Sequence, residues 1–212
     1  MPAERIMLDD LMREEGPESP MAQLSRAAAD GAIFVYPTET VYGIGGIVEE
    51  RVRARIIEAK KRPADKSMII IAASLDSLAY LKLRFNAASE ALARAFWPGN
   101  LTLIVHSDMM GHAAAVRVSA HPFLLRMAMH CSRPLYSTSA NVSDREYKND
   151  PDFIYETFCR SVDFMVDAGQ LPRSVPSTVV DAADNGNVRI VREGAIEEHS
   201  IRAIFIHKRG HT

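Results

Sequence analysis

Lys60-Lys61-Arg62, followed by Pro63 and then by Lys66-Ser67, is one of four polar clusters whose residue types could do chemistry. The others are Thr38-Glu39-Thr40 with Gly43, Gly45 and Gly46 behind it; Ser137-Thr138-Ser139-Ala140-Asn141; and Pro176-Ser177-Thr178 together with Val191-Arg192-Glu193-Gly194. Taken singly, Ser and Thr at strand ends form local turns and caps, and Arg192 beside a turn reads as a surface charge. The Lys60 to Lys66 group resists that reading, because it flanks a proline where a helix must end. Taken together, the clusters supply guanidinium forks, ammonium charges, hydroxyls and an amide. Those groups suit phosphates and a carboxylate held in a dry pocket.

Other chemistries lack their signatures. The chain has no G-x-x-x-x-G-K-[ST] loop, no G-x-G-x-x-G fingerprint and no G-x-S-x-G elbow. Its seven histidines are scattered without metal spacing, so His106, His112 and His121 read as ordinary polar positions. Cys131 and Cys159 stand alone, which argues against a disulfide framework or a thiol nucleophile. The expected chemistry therefore uses no covalent protein intermediate and no tightly held structural metal. It works by positioning and electrostatic stabilisation.

All four clusters sit at the ends of expected strands, where open α/β sheets bind ligands. Apolar runs predict strands over 33–36, 68–72, 101–107, 113–119, 135–137, 162–166, 178–182 and 188–191. Helical patterns cover 21–30, 49–61, 75–82, 87–96, a stretch opening at His121-Pro122, and 151–159, with a 201–206 segment closing the chain. In the 49–61 helix Val52, Ile56 and Ala59 form the apolar stripe. The interleaving predicts an α/β (α+β) fold with a twisted mixed sheet. Residues 1–20 read as a loose acidic arm, 21–206 as one domain and 207–212 as a tail. The glycines after Val41 read as a loop that something approaches closely, because a turn needs only one or two.

The 212 residues carry a net charge of −2, which predicts no acidic partner overall. Locally, residues 51–66 hold seven Arg or Lys against Glu58 and Asp65, a stripe that could attract nucleotide or RNA phosphate. Arg51, Arg53 and Arg55 read as a solvated helix face. No stretch approaches the roughly 20 apolar residues that span a bilayer, and the N-terminus has no apolar signal region, so a cytoplasmic protein with no membrane partner is expected.

Seven blocks now stand in order: YPTETVYGIGG, AKKRPADKSMIIIA, WPGNLTLIV, AVRVSAHP, STSANVS, PSTVVD and VRIVREG. Together they resemble the signature blocks of the YrdC/TsaC family, the threonylcarbamoyl-AMP synthases, over about residues 21–196. The chain stops where longer members continue into a second domain, so the resemblance implies the short, single-domain form. It also implies a YrdC-like sheet flanked by helices around a central positively charged cleft. The family makes L-threonylcarbamoyladenylate and pyrophosphate from L-threonine, bicarbonate or CO2, and ATP, with Mg2+ expected alongside ATP. Its product feeds the N6-threonylcarbamoyladenosine of tRNA through other tRNA-modification proteins.

By that resemblance Lys60, Arg62, Ser139 and Asn141 line the nucleotide and carbamate site and carry catalysis. Thr38, Arg117, Ser139 and Ser177 hold L-threonine, with Arg117 on its carboxylate. Lys60, Arg62, Asn141 and Arg192 hold ATP. The chain departs from the family pattern at Asn100, Asp144, Ser67-Met68 and Ser119. None of these removes a proposed donor, but Asp144 would repel a triphosphate unless it turns to solvent. Two alternatives remain at this point: a non-catalytic module binding tRNA or double-stranded RNA through the basic stripe, or a family paralogue with a different substrate.

Overall fold

The computed structural model describes residues 1–206 apart from 132, 173, 185 and 186; the expected tail, 207–212, lies outside the described residues. In chain order the elements are β1 (Glu4–Met7), α1 (Leu8–Arg13), α2 (Pro20–Ala29), β2 (Phe34–Tyr36), β3 (Gly43–Ile47), α3 (Glu50–Lys60) and β4 (Ile69–Ala72). Then follow α4 (Leu75–Leu78), a 3-10 turn, β5 (Leu83–Arg84), α5 (Ala87–Phe96), β6 (Leu101–Ser107), β7 (His112–Val118), α6 (Pro122–Ala128) and β8 (Leu135–Ser139). The chain continues through α7 (Pro151–Phe158), β9 (Phe164–Asp167), β10 (Thr178–Asp181), β11 (Arg189–Arg192) and α8 (Glu198–Ile206).

Local chemistry sets the helix starts. Ser19 accepts a hydrogen bond from the Ala22 N–H, and Pro20 takes the first turn of α2 where its missing N–H costs nothing. Asn86 and Ser89 cap α5 reciprocally, and Asp150 with Pro151 opens α7. In α3 the inward stripe is Val52, Ile56 and Lys60, four residues apart, so the lysine continues an apolar row into the protein. Lys61 ends that helix in the left-handed conformation, at φ 50°.

Among the described residues, eleven strands join one mixed sheet in the order β1-β9-β2-β3-β8-β4-β7-β6-β10-β11, with β5 on β6. The pairs β1/β9, β2/β9, β4/β7 and β6/β10 are parallel, and the others are antiparallel. The sheet is twisted and flanked by helices, as the apolar runs predict. No helix among the described residues is long and apolar enough to cross a membrane.

Two elements differ from the sequence reading. The glycine stretch is no loop: Gly43–Ile47 is a fully buried central strand. A Cβ on Gly45 would stand 2.1 Å from the Tyr136 carbonyl oxygen and 2.9 Å from the Tyr36 ring. One on Gly46 would meet Val52 at 2.7 Å and the Ala32 carbonyl at 2.8 Å. What approaches the backbone is the protein itself: an aromatic ring on one face and helix α3 on the other. The second difference is at the N-terminus. Residues 1–20 are not loose. β1 pairs with β9 from Glu4 opposite Phe164 to Met7 opposite Asp167, and Leu11 is fully buried. Arg5 anchors the strand by donating from Nε and Nη2 to Asp167 Oδ2, at 2.8 and 2.6 Å.

Candidate active site

Side chains in register across a sheet share a face. Pairing puts Tyr36 opposite Gly43, Gly43 opposite Ser139, Gly45 opposite Ser137, Ser137 opposite Ile69, Ile71 opposite Arg117, and Thr102 opposite Val179. Those residues form one continuous face, with Ser177 just before β10 extending it. A cleft of about 520 Å³ opens on that face. It is lined by Thr38, Arg62, Arg117, Ser139, Asn141, Ser177 and Arg192, over an apolar floor that includes Ile69, Ile71 and Val179. Seven of the eight residues picked out in the sequence therefore meet at one place.

Each is held by the protein before any ligand arrives. Thr38 Oγ1 accepts from the Thr40 and Val41 N–H groups, both at 3.2 Å, and donates to the Val41 carbonyl at 2.7 Å. Ser139 donates to Asn141 Oδ1 at 2.5 Å, and Asn141 Nδ2 donates to the Arg145 carbonyl at 2.6 Å. Ser177 Oγ lies 2.9 Å from Thr102 Oγ1, and Arg192 Nη2 donates to the Ser177 carbonyl at 2.8 Å. Arg62 donates from Nη2 to the Ser67 carbonyl at 2.7 Å, while its Nε–H is buried without a partner. That orphaned donor sits at the cleft wall, and a buried N–H of this kind costs free energy until an acceptor meets it.

Arg117 is 4% exposed and the most heavily engaged. Its Nε donates to the Gly99 carbonyl at 2.8 Å, and its Nη2 donates to Glu39 Oε2 at 2.8 Å and to Asn100 Oδ1 at 2.5 Å. Glu39 in turn accepts at Oε1 from the Ser119 hydroxyl at 2.6 Å and from the Ala120 N–H at 2.8 Å. Burial works against the Glu39 carboxylate, but the Arg117 charge, the Ser119 hydroxyl and backbone N–H groups hold its pKa below the ordinary value.

Lys60 is the exception. It does not line the cleft; it is 1% exposed, and its Nζ donates to the carbonyls of Ser139 and Asn141, the latter at 2.6 Å. Burial, with Arg62 nearby, pulls its pKa down to about 7. It holds the 139–141 turn from behind. The three arginines of the α3 face are paired: Arg51 with Glu49 at 2.7 Å, Arg53 with Glu50 at 3.2 Å and Arg55 with Asp163 at 3.0 Å. Asp144 does turn to solvent, its side chain 76% exposed and 2.9 Å from Lys66 Nζ. Among the described residues no group of three or more His, Cys, Asp or Glu side chains could hold a metal ion.

Residues 26–194 match the Sua5_yciO_yrdC family model, whose description reads "Telomere recombination". The chain belongs to the Sua5/YciO/YrdC family. It is 33% identical over 185 residues to the threonylcarbamoyl-AMP synthase of Pyrococcus abyssi (strain GE5 / Orsay), a match covering 83% of this chain and 54% of that protein. The crystal structure of P. abyssi Sua5 complexed with L-threonine superposes with a TM-score of 0.80 at 29% identity, covering 96% of this chain and 61% of that one. E. coli YciO superposes with a TM-score of 0.75 over 93% of this chain and 98% of its own, at an identity of 21% that shows likeness of fold alone. The chain spans about half the length of the curated relatives it matches over most of its own length.

In and behind this Sua5/YciO/YrdC cleft, four further side chains escaped the sequence reading, Tyr147 and Ser174 in its lining and Glu39 and Asn100 against Arg117. Glu39 stood inside a quoted cluster without a role, and Asn100 stood out only as a departure from the family pattern. Tyr147 lines the cleft and accepts the Tyr42 N–H at 3.0 Å, and Ser174 donates to the Thr40 carbonyl. The last two lie outside the strands and helices, where neither pattern nor spacing marks them.

Proposed function

We propose that this cleft forms L-threonylcarbamoyladenylate and pyrophosphate from L-threonine, bicarbonate or CO2, and ATP, a nucleotidyl transfer. One observation carries the reading: Arg62, Arg117 and Arg192 reach the cleft from three separate elements, with no Asp or Glu among the described residues that line it. A cleft of about 520 Å³ with three guanidinium groups in its lining suits two anionic substrates side by side. The presence of L-threonine in the P. abyssi Sua5 complex supports the choice of amino acid.

The chemistry needs no protein nucleophile. The threonine amine adds to the carbon of CO2 and loses a proton, giving a carbamate. A carbamate oxygen attacks the α-phosphorus of ATP, the bond from that phosphorus to the bridging oxygen breaks, and pyrophosphate leaves. Negative charge spreads over the α-phosphate oxygens in the transition state, where Arg62 and Arg192 offer fixed donors. Arg117 takes the threonine carboxylate, and Thr38 and Ser177 shape the same end. Ser139 and Asn141, held by Lys60, position the carbamate. Thus Lys60 contributes by holding the turn rather than by touching ATP. Mg2+ would accompany ATP as part of that substrate and supply charge neutralisation; no carboxylate cluster to hold it stands among the described residues. Use of the product in tRNA modification in the cytoplasm, through other modification proteins, belongs to the same proposal. The stripe does not favour the RNA-binding alternative, because Arg51, Arg53 and Arg55 are already paired with acids.

The test is pyrophosphate release by the purified protein with threonine and bicarbonate, with each omitted, and with serine in place of threonine. Release that needs both and prefers threonine, and that falls at least 100-fold in Arg62→Ala, is the expected result. Release independent of threonine, or undiminished in Arg62→Ala, overturns the assignment.

A further inference from the structure

An arginine carries five N–H donors, one on Nε and two on each terminal nitrogen. In Arg117 the Nε–H goes to the Gly99 carbonyl, and the two Nη2 hydrogens go to Glu39 Oε2 and Asn100 Oδ1. One whole edge of the fork is consumed, and only Nη1 remains to meet a ligand. The Glu39 contact is of an unusual kind for such close partners. Arginine and carboxylate prefer two parallel hydrogen bonds, fork to fork. Here the carboxylate gives Arg117 one oxygen and gives the other to Ser119 Oγ and the Ala120 N–H.

We infer that Asn100 is a positioning residue that keeps Arg117 from closing onto Glu39 and so leaves Nη1 free for the substrate carboxylate. This rests on the proposed function above. Asn100 Oδ1 draws Nη2 away from the fork-to-fork geometry, and Gly99, the neighbouring residue, holds Nε from the same turn between α5 and β6. The turn is itself fixed: the Asn100 carbonyl accepts the Thr178 N–H at 3.0 Å, and the Gly99 N–H donates to the Val118 carbonyl at 2.9 Å. Both of those bonds are backbone bonds, so they survive a change of the Asn100 side chain. Without Oδ1, only the single Gly99 bond to Nε opposes a turn of the guanidinium about the Glu39 contact, which pairs both terminal nitrogens with the carboxylate and withdraws Nη1 from the cleft. The loss would be specific. ATP meets Arg62 and Arg192, which touch neither Asn100 nor Glu39.

The experiment is calorimetric titration of wild type and Asn100→Ala with L-threonine and, separately, with ATP, alongside thermal unfolding. The expected result is threonine affinity weakened five- to tenfold or more, ATP affinity within twofold, and an unfolding temperature equal to or above that of wild type. A merely structural role would move both ligands and lower the unfolding temperature, and that outcome overturns the inference. So does threonine affinity equal in the two proteins. Wild type that binds ATP but no threonine overturns the proposed function and the inference with it, and is told apart because the failure then appears before any substitution. Should Asn100→Ala not fold, Asn100→Ser, which is too short to reach Nη2, is titrated in its place with the same expectations.

Discussion

Glu39→Gln tests the electrostatic frame of the cleft most directly. A carboxylate accepts at both oxygens, and Glu39 uses both: Arg117 on one side, Ser119 and the Ala120 N–H on the other. A carboxamide has one oxygen and one NH2, so whichever way it turns, a donor faces a donor. At 2.8 Å and an effective dielectric near 20, the lost charge–charge attraction is about 6 kcal/mol. Relief of the carboxylate's desolvation returns part of that. Breaking one partner of a buried pair costs about 3–5 kcal/mol, and the 22% exposure of the Glu39 side chain favours the lower end. The expected loss is about 3 kcal/mol by urea unfolding at pH 7, equivalent to roughly 6–12 °C in Tm for a chain of this size. The pH dependence follows from the same group. Its folded pKa lies below the unfolded value, so its stabilisation is present above the unfolded pKa and disappears as pH falls through the folded one. The gap between wild type and variant should hold from pH 6 to 8, begin to narrow as pH falls to about 4, the unfolded value, and go on narrowing at lower pH. A variant within about 1 kcal/mol of wild type at pH 7, or a gap that persists in acid, would refute the reasoning.

Three further outcomes are expected. Gly45→Ala drives a Cβ to 2.1 Å from the Tyr136 carbonyl and should cost more than about 3 kcal/mol, read as lost soluble yield; Gly111→Ala, with open space but φ +71°, should cost only about 1 kcal/mol. Lys60→Met should remove turnover by releasing the Ser139 and Asn141 carbonyls. Because the Lys60 pKa falls to about 7 on folding, the unfolded chain binds more protons above that pH, so wild-type stability relative to this variant should rise from pH 7 towards 10; a flat difference in urea unfolding would contradict the buried, depressed ammonium. Asp144→Gly removes a side chain from φ 61° and a solvent-exposed ion pair, so stability should change by no more than about 0.5 kcal/mol. It should also lower the ATP KM a few-fold by freeing Lys66; an unchanged KM would place the carboxylate outside the nucleotide path.

How much of this was legible in the sequence depends on what a local pattern can carry. Strands such as Ile69–Ala72 and Leu101–Ser107 announce themselves, because apolar runs bounded by polar residues have few other uses. Gly43–Ile47 does not, since glycine has low strand propensity and offers no periodicity. Its place is decided by Tyr36 and Tyr136 on neighbouring strands, which no window along the chain contains together. The N-terminal strand fails for a similar reason: Glu4–Met7 is largely exposed, and the anchor of Arg5 lies 162 residues away. The polar clusters of the site were legible because they end apolar runs, yet a charge in a sequence has no direction. Lys60 reads as a ligand-binding cation until its four-residue spacing from Ile56 is noticed, which points it inward.

The cations of the cleft and its rear wall are engaged before any anion arrives. Lys60 is committed to backbone carbonyls, Arg62 and Arg192 each donate to one, and Arg117 is divided among Gly99, Glu39 and Asn100. None of these four cations hangs free in solvent waiting for an anion; each is held by an acceptor that is bonded into the fold. Donors held this way cost little reorganisation when negative charge develops in front of them, which is what electrostatic stabilisation of a transition state demands. The cost falls on folding instead, as buried charge and an unpartnered Nε on Arg62. An anion in the cleft should therefore stabilise the protein by more than its contacts alone would suggest, because it answers a donor that the fold leaves waiting.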